Sequence, residues 1–424
     1  MRRRLIGLAL AVFAVGFFAG TRALLAVALA LNVLVVAYLA LVAIRRIVLT
    51  VAALGPRPPA PSPPAVRPRL TVLIPCRDEQ DVLPATLAAW DRVDYPRNRL
   101  EVMFVDDASA DQTGDLLRDF ADARPWITNL RRDEALGGKG GALNDGLDAA
   151  RDSDVVAVFD ADARPEPDCL VQLVAALTPD AAAVAGRMLP VETPRFAGVF
   201  AAIEAAVHQR LTLTGAARLG GTVSLLGSAY LLRRGVLEEF RFTPGHRLED
   251  IDLSARLLVG GRRITWAPAA MCHHLPARDA ASLGTQRAAW ARGYHRVMRD
   301  HGHALFITAP NLIASVDRLL FTAGYLDRLA FLAAVALAAT ASAVPSLWLP
   351  WWFVAAWAAL PLAQIALALY ADRWRGARLA RVPVALALVA VDLAASTAAA
   401  AADVLNRPLP WRKTQRVAER KEAP

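Results

Sequence analysis

Residues 70–79 read LTVLIPCRDE, residues 100–107 LEVMFVDD and residues 154–162 DVVAVFDAD. Each opens as a short apolar run with β-branched residues and ends in carboxylates. Strands of a parallel sheet read as such unbroken runs, because both of their faces are covered. Helical patterns at 80–91 and 111–123 fall between them. Strands alternating with helices predict an α/β domain on a mainly parallel sheet. Ligands of such sheets bind beyond the carboxyl ends of the strands. Those ends carry Asp78 and Glu79, Asp106 and Asp107, and Asp160 and Asp162. Three like-charged clusters brought together repel one another unless a cation sits among them. The D-A-D pair of Asp160 and Asp162 suits Mg2+ or Mn2+, since hard oxygen ligands favour these ions. Such an ion would bridge to a diphosphate and neutralise charge on the departing nucleotide.

Outward from this domain the composition changes. Residues 55–68, GPRPPAPSPPAVRP, form a Pro-rich linker that is extended and semi-rigid. The whole chain of 424 residues is 55% hydrophobic and only 21% charged. The apolar excess is concentrated at the two ends, which excludes a simple soluble enzyme and a disordered chain. Residues 5–20 and 23–44 are two apolar runs, of which the second is long enough to cross a bilayer. The first, after MRRR, reads either as half of a helical hairpin or as a signal peptide. Arg45, Arg46, Arg57, Arg67 and Arg69 follow, placing the N-terminus and the middle domain on the cytoplasmic side. Residues 329–371 carry no charge and are cut by Pro345 and Pro350 into two spans, followed by a basic loop and a last run, 382–402, that holds Asp392. Three spans starting from a cytoplasmic domain put the tail outside, whereas its Arg and Lys residues put it inside. A re-entrant or interfacial 382–402 run resolves that conflict.

The predicted organisation is two N-terminal transmembrane helices (1–46), a linker (47–69), the α/β domain (70–300), interfacial amphipathic helices (301–327), two or three C-terminal spans (328–403) and a basic tail (404–424). This describes a multi-pass protein of the inner (plasma) membrane with its α/β domain cytoplasmic. The net charge of +9 lies beside apolar spans, with no aromatic-basic stripe, so nucleic acid is not an expected partner. Three scattered cysteines, Cys76, Cys169 and Cys272, make no disulfide framework. Cys272, His273 and His274 are adjacent and lack tetrahedral zinc spacing. A transporter would show ionisable residues in several spans, and Asp392 alone meets that test.

Four motifs in order, VLIPCRDE, FVDDASADQT, GGKGGALNDGL and VFDADARPEPDCL, resemble the membrane-bound glycosyltransferases of family 2, over roughly residues 70–300. The resemblance implies the GT-A fold, a nucleotide-sugar donor (a UDP-sugar), a lipid or glycan acceptor at the bilayer, and room for a membrane accessory subunit. It places Asp78, Glu79, Asp106 and Asp107 on the base and ribose. Lys139, in a glycine loop without Walker A spacing, goes to the phosphates. Asp162 becomes the firmer metal ligand, and Asp160 a contact to ribose or metal. Glu249 and Asp250 match the family's E-D pair, in which Asp is the general base; Asp252 is the local competitor. Gly227 and Ser228 lie against the acceptor. QRAAWARG (286–293) is similar to the family's Q-x-x-R-W motif, placing Gln286 and Trp290 at acceptor and diphosphate. Ala289 stands where the family has Arg, leaving Arg287 and Arg292 as the nearby cations and putting processive synthesis in doubt. PWRKTQR (410–416) is similar to an ending that lies on the cytoplasmic side in related synthases. The expected function is thus inverting, metal-dependent transfer, in the manner of a polysaccharide synthase; the alternative is single transfer to a lipid.

Overall fold

The computed structural model describes residues 21–56, 61–150, 152–343 and 349–407. The first apolar run, 5–20, and the PWRKTQR tail lie outside the described residues. An eight-stranded sheet forms the middle: β1 (Leu70–Cys76), β2 (Leu100–Asp107), β3 (Ile127–Arg132), β4 (Val155–Val158), β5 (Arg164–Pro165), β6 (Ala181–Pro190), β7 (Tyr230–Arg233) and β8 (Arg263–His274). Their order is β3-β2-β1-β4-β7-β6-β8-β5. The first four are mutually parallel, β7 runs antiparallel to both β4 and β6, and β8 is parallel to β6.

The two-residue period of a strand divides the apolar residues between two cores. Val72, Ile74, Val102 and Phe104 face Leu83, Trp90 and Leu117 on one side. Leu73, Met103, Val105, Val156 and Val158 face Leu143, Leu147 and Leu253 on the other. Every residue of β2 and β4 is buried, as continuous apolar runs require. Trp90 closes its layer edge-on against Phe159, ring centroids 5.0 Å apart.

Register positions the site. Cys76 pairs with Asp106, so the carboxylates after β1 and at the end of β2 come out level. Asp106 and Asp107 pair in turn with Arg131 and Arg132 of β3. Because β7 is antiparallel to β4, with Val158 opposite Tyr230, the segment leading into β7 arrives at the carboxyl end of β4. Gly227 and Ser228 thereby reach Asp160.

The flanking helices differ from the expected bounds at the N-terminal side. The N-terminal helix runs Thr21–Ala53, beyond the expected end at residue 46. Arg45 and Arg46 lie within this helix and pair with Asp317 and Asp327 at 2.6 Å and 3.0 Å. The stretch expected to hold amphipathic helices, 301–327, is shared by two helices, with a third starting at Leu326. A long helix, Ala280–Ile307, carries the domain's last residues into it, and Leu312–Thr322 restarts after a break capped by Asn311, which accepts from Ala314 N at 2.9 Å. That helix turns 84° into Leu326–Ser342, leaving a broken span or a re-entrant loop. Ala26–Ala53, Trp351–Ala371 and Gly376–Val404 are long and apolar enough to cross a membrane. Asp392, the charge that weakened the last run, is buried between helices with its Oδ2 2.9 Å from Arg328 Nε.

Candidate active site

The loops after β1 and β2 are clasped by their own polar groups. Asp78 adopts a left-handed backbone (φ 51°), which Asp tolerates better than most residues. Its Oδ1 accepts from Ala110 N at 2.8 Å, and its own N–H donates to Ser109 Oγ at 3.1 Å. Glu79 N donates to Thr113 Oγ1 at 2.7 Å. Asp111, just before the helix Thr113–Asp122, accepts from Thr113 N at 2.9 Å, whereas Ser109 holds Asp78. Asp106 is fully enclosed, bound by Ser109 N at 3.0 Å and by the Arg131 guanidinium. Asp107 pairs with Arg132, which also reaches Asp145 at 2.7 Å. Burial pushes the Asp107 carboxyl up, against the pull of Arg132. Repulsion between clusters therefore does not by itself demand a metal: at this end of the sheet two arginines supply the cations. Sequence reasoning missed them, although consecutive arginines at the end of an apolar run are a readable signal.

The glycine loop sets the next group. Gly137 has φ +75°, and a Cβ there would come within 2.9 Å of the Pro244 Cβ; one on Gly140 would come as close to Thr243 O. Larger residues would push this loop off the segment before the helix Glu249–Val259. Lys139 follows on the first turn of its helix. Its Nζ lies 2.7 Å from Asp160 Oδ1, 2.6 Å from Glu249 Oε1 and 2.7 Å from Gly227 O. Three ammonium protons thus meet three acceptors. Burial would lower this amine's pKa, but Asp160 and Glu249 outweigh it and hold it well above its ordinary value. Ser228 Oγ accepts from Asp160 N at 2.9 Å. Asp162, 1% exposed, accepts on Oδ2 from Leu275 N at 3.0 Å, which ties the D-A-D turn to the end of β8. His273 lies against Glu166, 2.7 Å from Nε2 to Oε1.

Asp250 sits in the first helical turn, 6% exposed, and a Cβ on Gly227 would stand 3.6 Å from its Oδ2. Burial first and the Glu249 charge second, opposed by Lys139, push its carboxyl up to about 7. Asp252 is its opposite. It accepts from Thr243 Oγ1 at 2.6 Å and Arg256 Nε at 2.9 Å, and lies 2.8 Å from His301 Nε2. Burial would raise its carboxyl, but bonds from His301 and Thr243 and the Arg256 charge hold it well below the usual range. Two residues apart on a helix point to different sides: Asp250 stands on the Gly227 side, whereas the Asp252 carboxylate is taken up by Thr243, Arg256 and His301. Tyr230 joins the Asp250 side: it is fully buried, with its hydroxyl close enough to Lys139, Glu249 and Asp250 to feel their charges. No motif marked it.

Lys139, Asp160, Glu249, Asp250, Gly227 and Ser228 are therefore brought together, with Asp162 two residues along the same turn. Arg287 and Arg292 are not free cations beside the glycine loop. Arg287, its side chain 6% accessible, pairs with Glu204, and its Nε lies 3.9 Å from Asp392 Oδ1. Arg292 pairs with Asp403 at 2.8 Å. A charge buried among helices is held by an opposite charge, and both arginines have one. Gln286, Arg287 and Trp290 belong to the first half of the long helix, which crosses the base helix where Gly293 meets Leu248 and His301 meets Asp252.

The family model described as "Glycosyltransferase like family 2" matches residues 68–293. The chain is 29% identical to the beta-monoglucosyldiacylglycerol synthase of Synechocystis sp., covering 55% of this chain and 49% of that one. It is 28% identical to the poly-beta-1,6-N-acetyl-D-glucosamine synthase of Staphylococcus aureus, covering 54% and 55%. The chain thus spans about half the length of the curated relatives it matches. Among solved structures, the mannosyltransferase PcManGT from Pyrobaculum calidifontis, in complex with GDP-Man and Mn2+, superposes with a TM-score of 0.58 at 26% identity, over 91% of this chain and 100% of that one.

Proposed function

The chain belongs to the family 2-like glycosyltransferases and has the GT-A fold, and from that premise we propose inverting transfer of a sugar from a UDP-sugar to a hydroxyl of a membrane-associated glycan. The observation that carries this reading is the placement of Asp250, a buried carboxyl in the first turn of its helix beside Gly227 and the Lys139 group, where burial and the Glu249 charge push it up to about 7. A sugar hydroxyl loses its proton only as it attacks, and the best acceptor is a base poised near the working pH. One base and no covalent nucleophile give direct displacement, with inversion at the anomeric carbon. Gly227, which offers no side chain beside Asp250, leaves space for the attacking hydroxyl. Lys139 serves the diphosphate. Asp78 and Glu79 meet the nucleoside, and Asp106 and Asp107 act beneath them, holding the loop through Arg131 and Arg132.

Asp162 and Asp160 would hold Mg2+ or Mn2+. Their hard oxygens fit either ion, although no group of three or more His, Cys, Asp or Glu among the described residues is placed to hold a metal ion by itself. Two carboxylates suffice where substrate phosphates complete the shell. When bound, the ion supplies neutralisation of the leaving nucleotide's charge. The apolar helices around the domain support membrane attachment; our reading is a multi-pass inner-membrane protein with its catalytic domain cytoplasmic.

Two relatives bear names of different product classes, a polysaccharide synthase and a glycolipid synthase. Ala289, in place of the motif arginine, favours the second reading, single transfer to a lipid. The test is a panel of labelled UDP- and GDP-sugars given to the full chain in lipid nanodiscs, with dioleoylglycerol or β-linked oligosaccharides, and with Mg2+, Mn2+ or EDTA. Label in long chains supports the synthase, and label in the organic phase the lipid enzyme. Full turnover in EDTA removes the metal from the reading.

A further inference from the structure

Six charges alternate in sign through the helices beside the α/β domain. Glu204 pairs with Arg287, whose Nε faces Asp392 Oδ1 at 3.9 Å. Asp392 Oδ2 accepts from Arg328 Nε at 2.9 Å. Arg328 Nη1 reaches Asp327 Oδ1 at 2.8 Å, and Asp327 Oδ2 accepts from Arg46 Nη2 at 3.0 Å. The chain of charges joins five helices: Phe196–Ala205, Ala280–Ile307, Val389–Val404, Leu326–Ala343 and Thr21–Ala53. Three cations meet three carboxylates, so the set is neutral. A neutral buried set of this kind contributes little net stability compared with apolar residues of the same volume, and its use lies in fixing direction.

What it directs is a ring. The Arg287 guanidinium lies over the Trp290 indole, 4.5 Å from its centroid, one turn along the same helix. Trp290 is otherwise 36% exposed, the highest exposure among the residues expected at the acceptor end. The guanidinium is planar, so its partners set the plane in which it meets the ring. Glu204 takes one edge, and Asp392 Oδ1 faces Nε at 3.9 Å, a charge contact too long for a hydrogen bond; both atoms are buried without a hydrogen-bond partner.

We propose that Glu204 and Asp392 are positioning residues which, through Arg287, fix the pose of Trp290 as the surface on which the acceptor sugar stacks. The inference rests on the reading of Trp290 as an acceptor contact. It also gives Arg287 a role other than the diphosphate: it is the link between the membrane helices and the acceptor surface. Side chains from the last apolar run thereby tune acceptor use without touching the acceptor.

The test combines a spectroscopic and a kinetic readout. Labelling with 5-fluorotryptophan gives resonances from ten tryptophans, of which Trp290→Phe identifies one. Glu204→Gln, Asp392→Asn and Arg287→Lys should each move the Trp290 resonance and leave the others in place. Lysine keeps the charge and loses the plane. Kinetically, the apparent KM for dioleoylglycerol or for a β-linked oligosaccharide, whichever turns over, should rise about 2–30-fold, the range a cation over an aromatic face supplies. Release of nucleotide to water in the absence of acceptor should stay unchanged. Trp290→Phe with Asp392→Asn should be no worse than the more affected single variant, because both act on one contact. A stationary Trp290 resonance, or effects that multiply in the double variant, overturns the proposal. So does displacement of all the resonances with a lower Tm, which marks a purely structural role. Should Asp392→Asn fail to fold, the partly exposed Glu204 carries the same test. If Trp290→Phe alone leaves acceptor KM unchanged while the resonance still responds to Asp392, the fault lies in reading Trp290 as an acceptor contact, and the coupling stands.

Discussion

Two ionic clusters in this chain are built from the same residue types and do different things. Around Lys139 one cation faces Asp160, Glu249 and Asp250, with Asp162 on the same turn; around Arg287 three cations face three carboxylates. The first lies on loops at the end of a sheet, with Lys139 28% accessible. The second lies between helices, with Arg287 6% accessible. Negative charge left over at an accessible site has two outlets, a raised pKa and a bound cation, and both are chemically useful. Balanced charge in a closed site has neither outlet and can only orient its members. Excess charge, more than the number of charged groups, separates a reacting cluster from a framing one.

The largest effect that could break this contrast is at Asp250. Asp250→Asn keeps shape and removes the proton acceptor, so turnover should fall by about 10²–10⁴ while nucleotide affinity, which rests on Lys139 and the D-A-D turn, stays near the parent value. Retention of more than about a tenth of the parent rate would move the base to Glu249. Asp252, tied to Thr243, Arg256 and His301, is no longer the first substitute.

The pH dependence sharpens the same point. Asp250 must be ionised to act, so kcat/KM should climb as pH rises through about 7. Stability runs the other way. A carboxyl whose folded pKa is raised above its unfolded value contributes stability that is complete below the unfolded pKa, about 3.9. That contribution is lost as pH rises through the folded value. Asp250→Asn should therefore melt higher than the parent at pH 8, by less at pH 5, and differ least below about pH 4, where the carboxyl is protonated in both the folded and unfolded chain. A parent that melts higher than the variant at pH 8 would assign Asp250 to structure. The smallest effect is expected of Ala289→Arg: product length should change more than nucleotide affinity, since residue 289 belongs to the acceptor helix. A large loss of nucleotide affinity with unchanged products would contradict it.

Much of the candidate site was legible in the sequence, for identifiable reasons. Asp160 and Asp162, Asp250 and Lys139 stand at strand ends or helix starts within local patterns, and local patterns survive in one dimension. The roles of Arg287 and Arg292 were not legible. Their counter-ions, Glu204 at 83 residues' separation and Asp403 at 111, meet them only through helix packing. The same holds for Arg45 and Arg46, which a charge count reads as the end of a span and which lie inside the helix, paired with Asp317 and Asp327. The choice between Asp250 and Asp252 had rested on the motif; both are buried, and what distinguishes them is that Thr243, Arg256 and His301 hold the Asp252 carboxylate.

By itself the sequence determined the parallel α/β core, the carboxylates at its strand ends, the glycine loop with its lysine and the apolar flanks, because each follows from short-range periodicity or from groups adjacent in the chain. Only the tertiary structure decided which charges are spent on other charges and which remain for chemistry. Coulomb energy and desolvation depend on distance and burial, and for groups tens to hundreds of residues apart neither exists until the chain has folded.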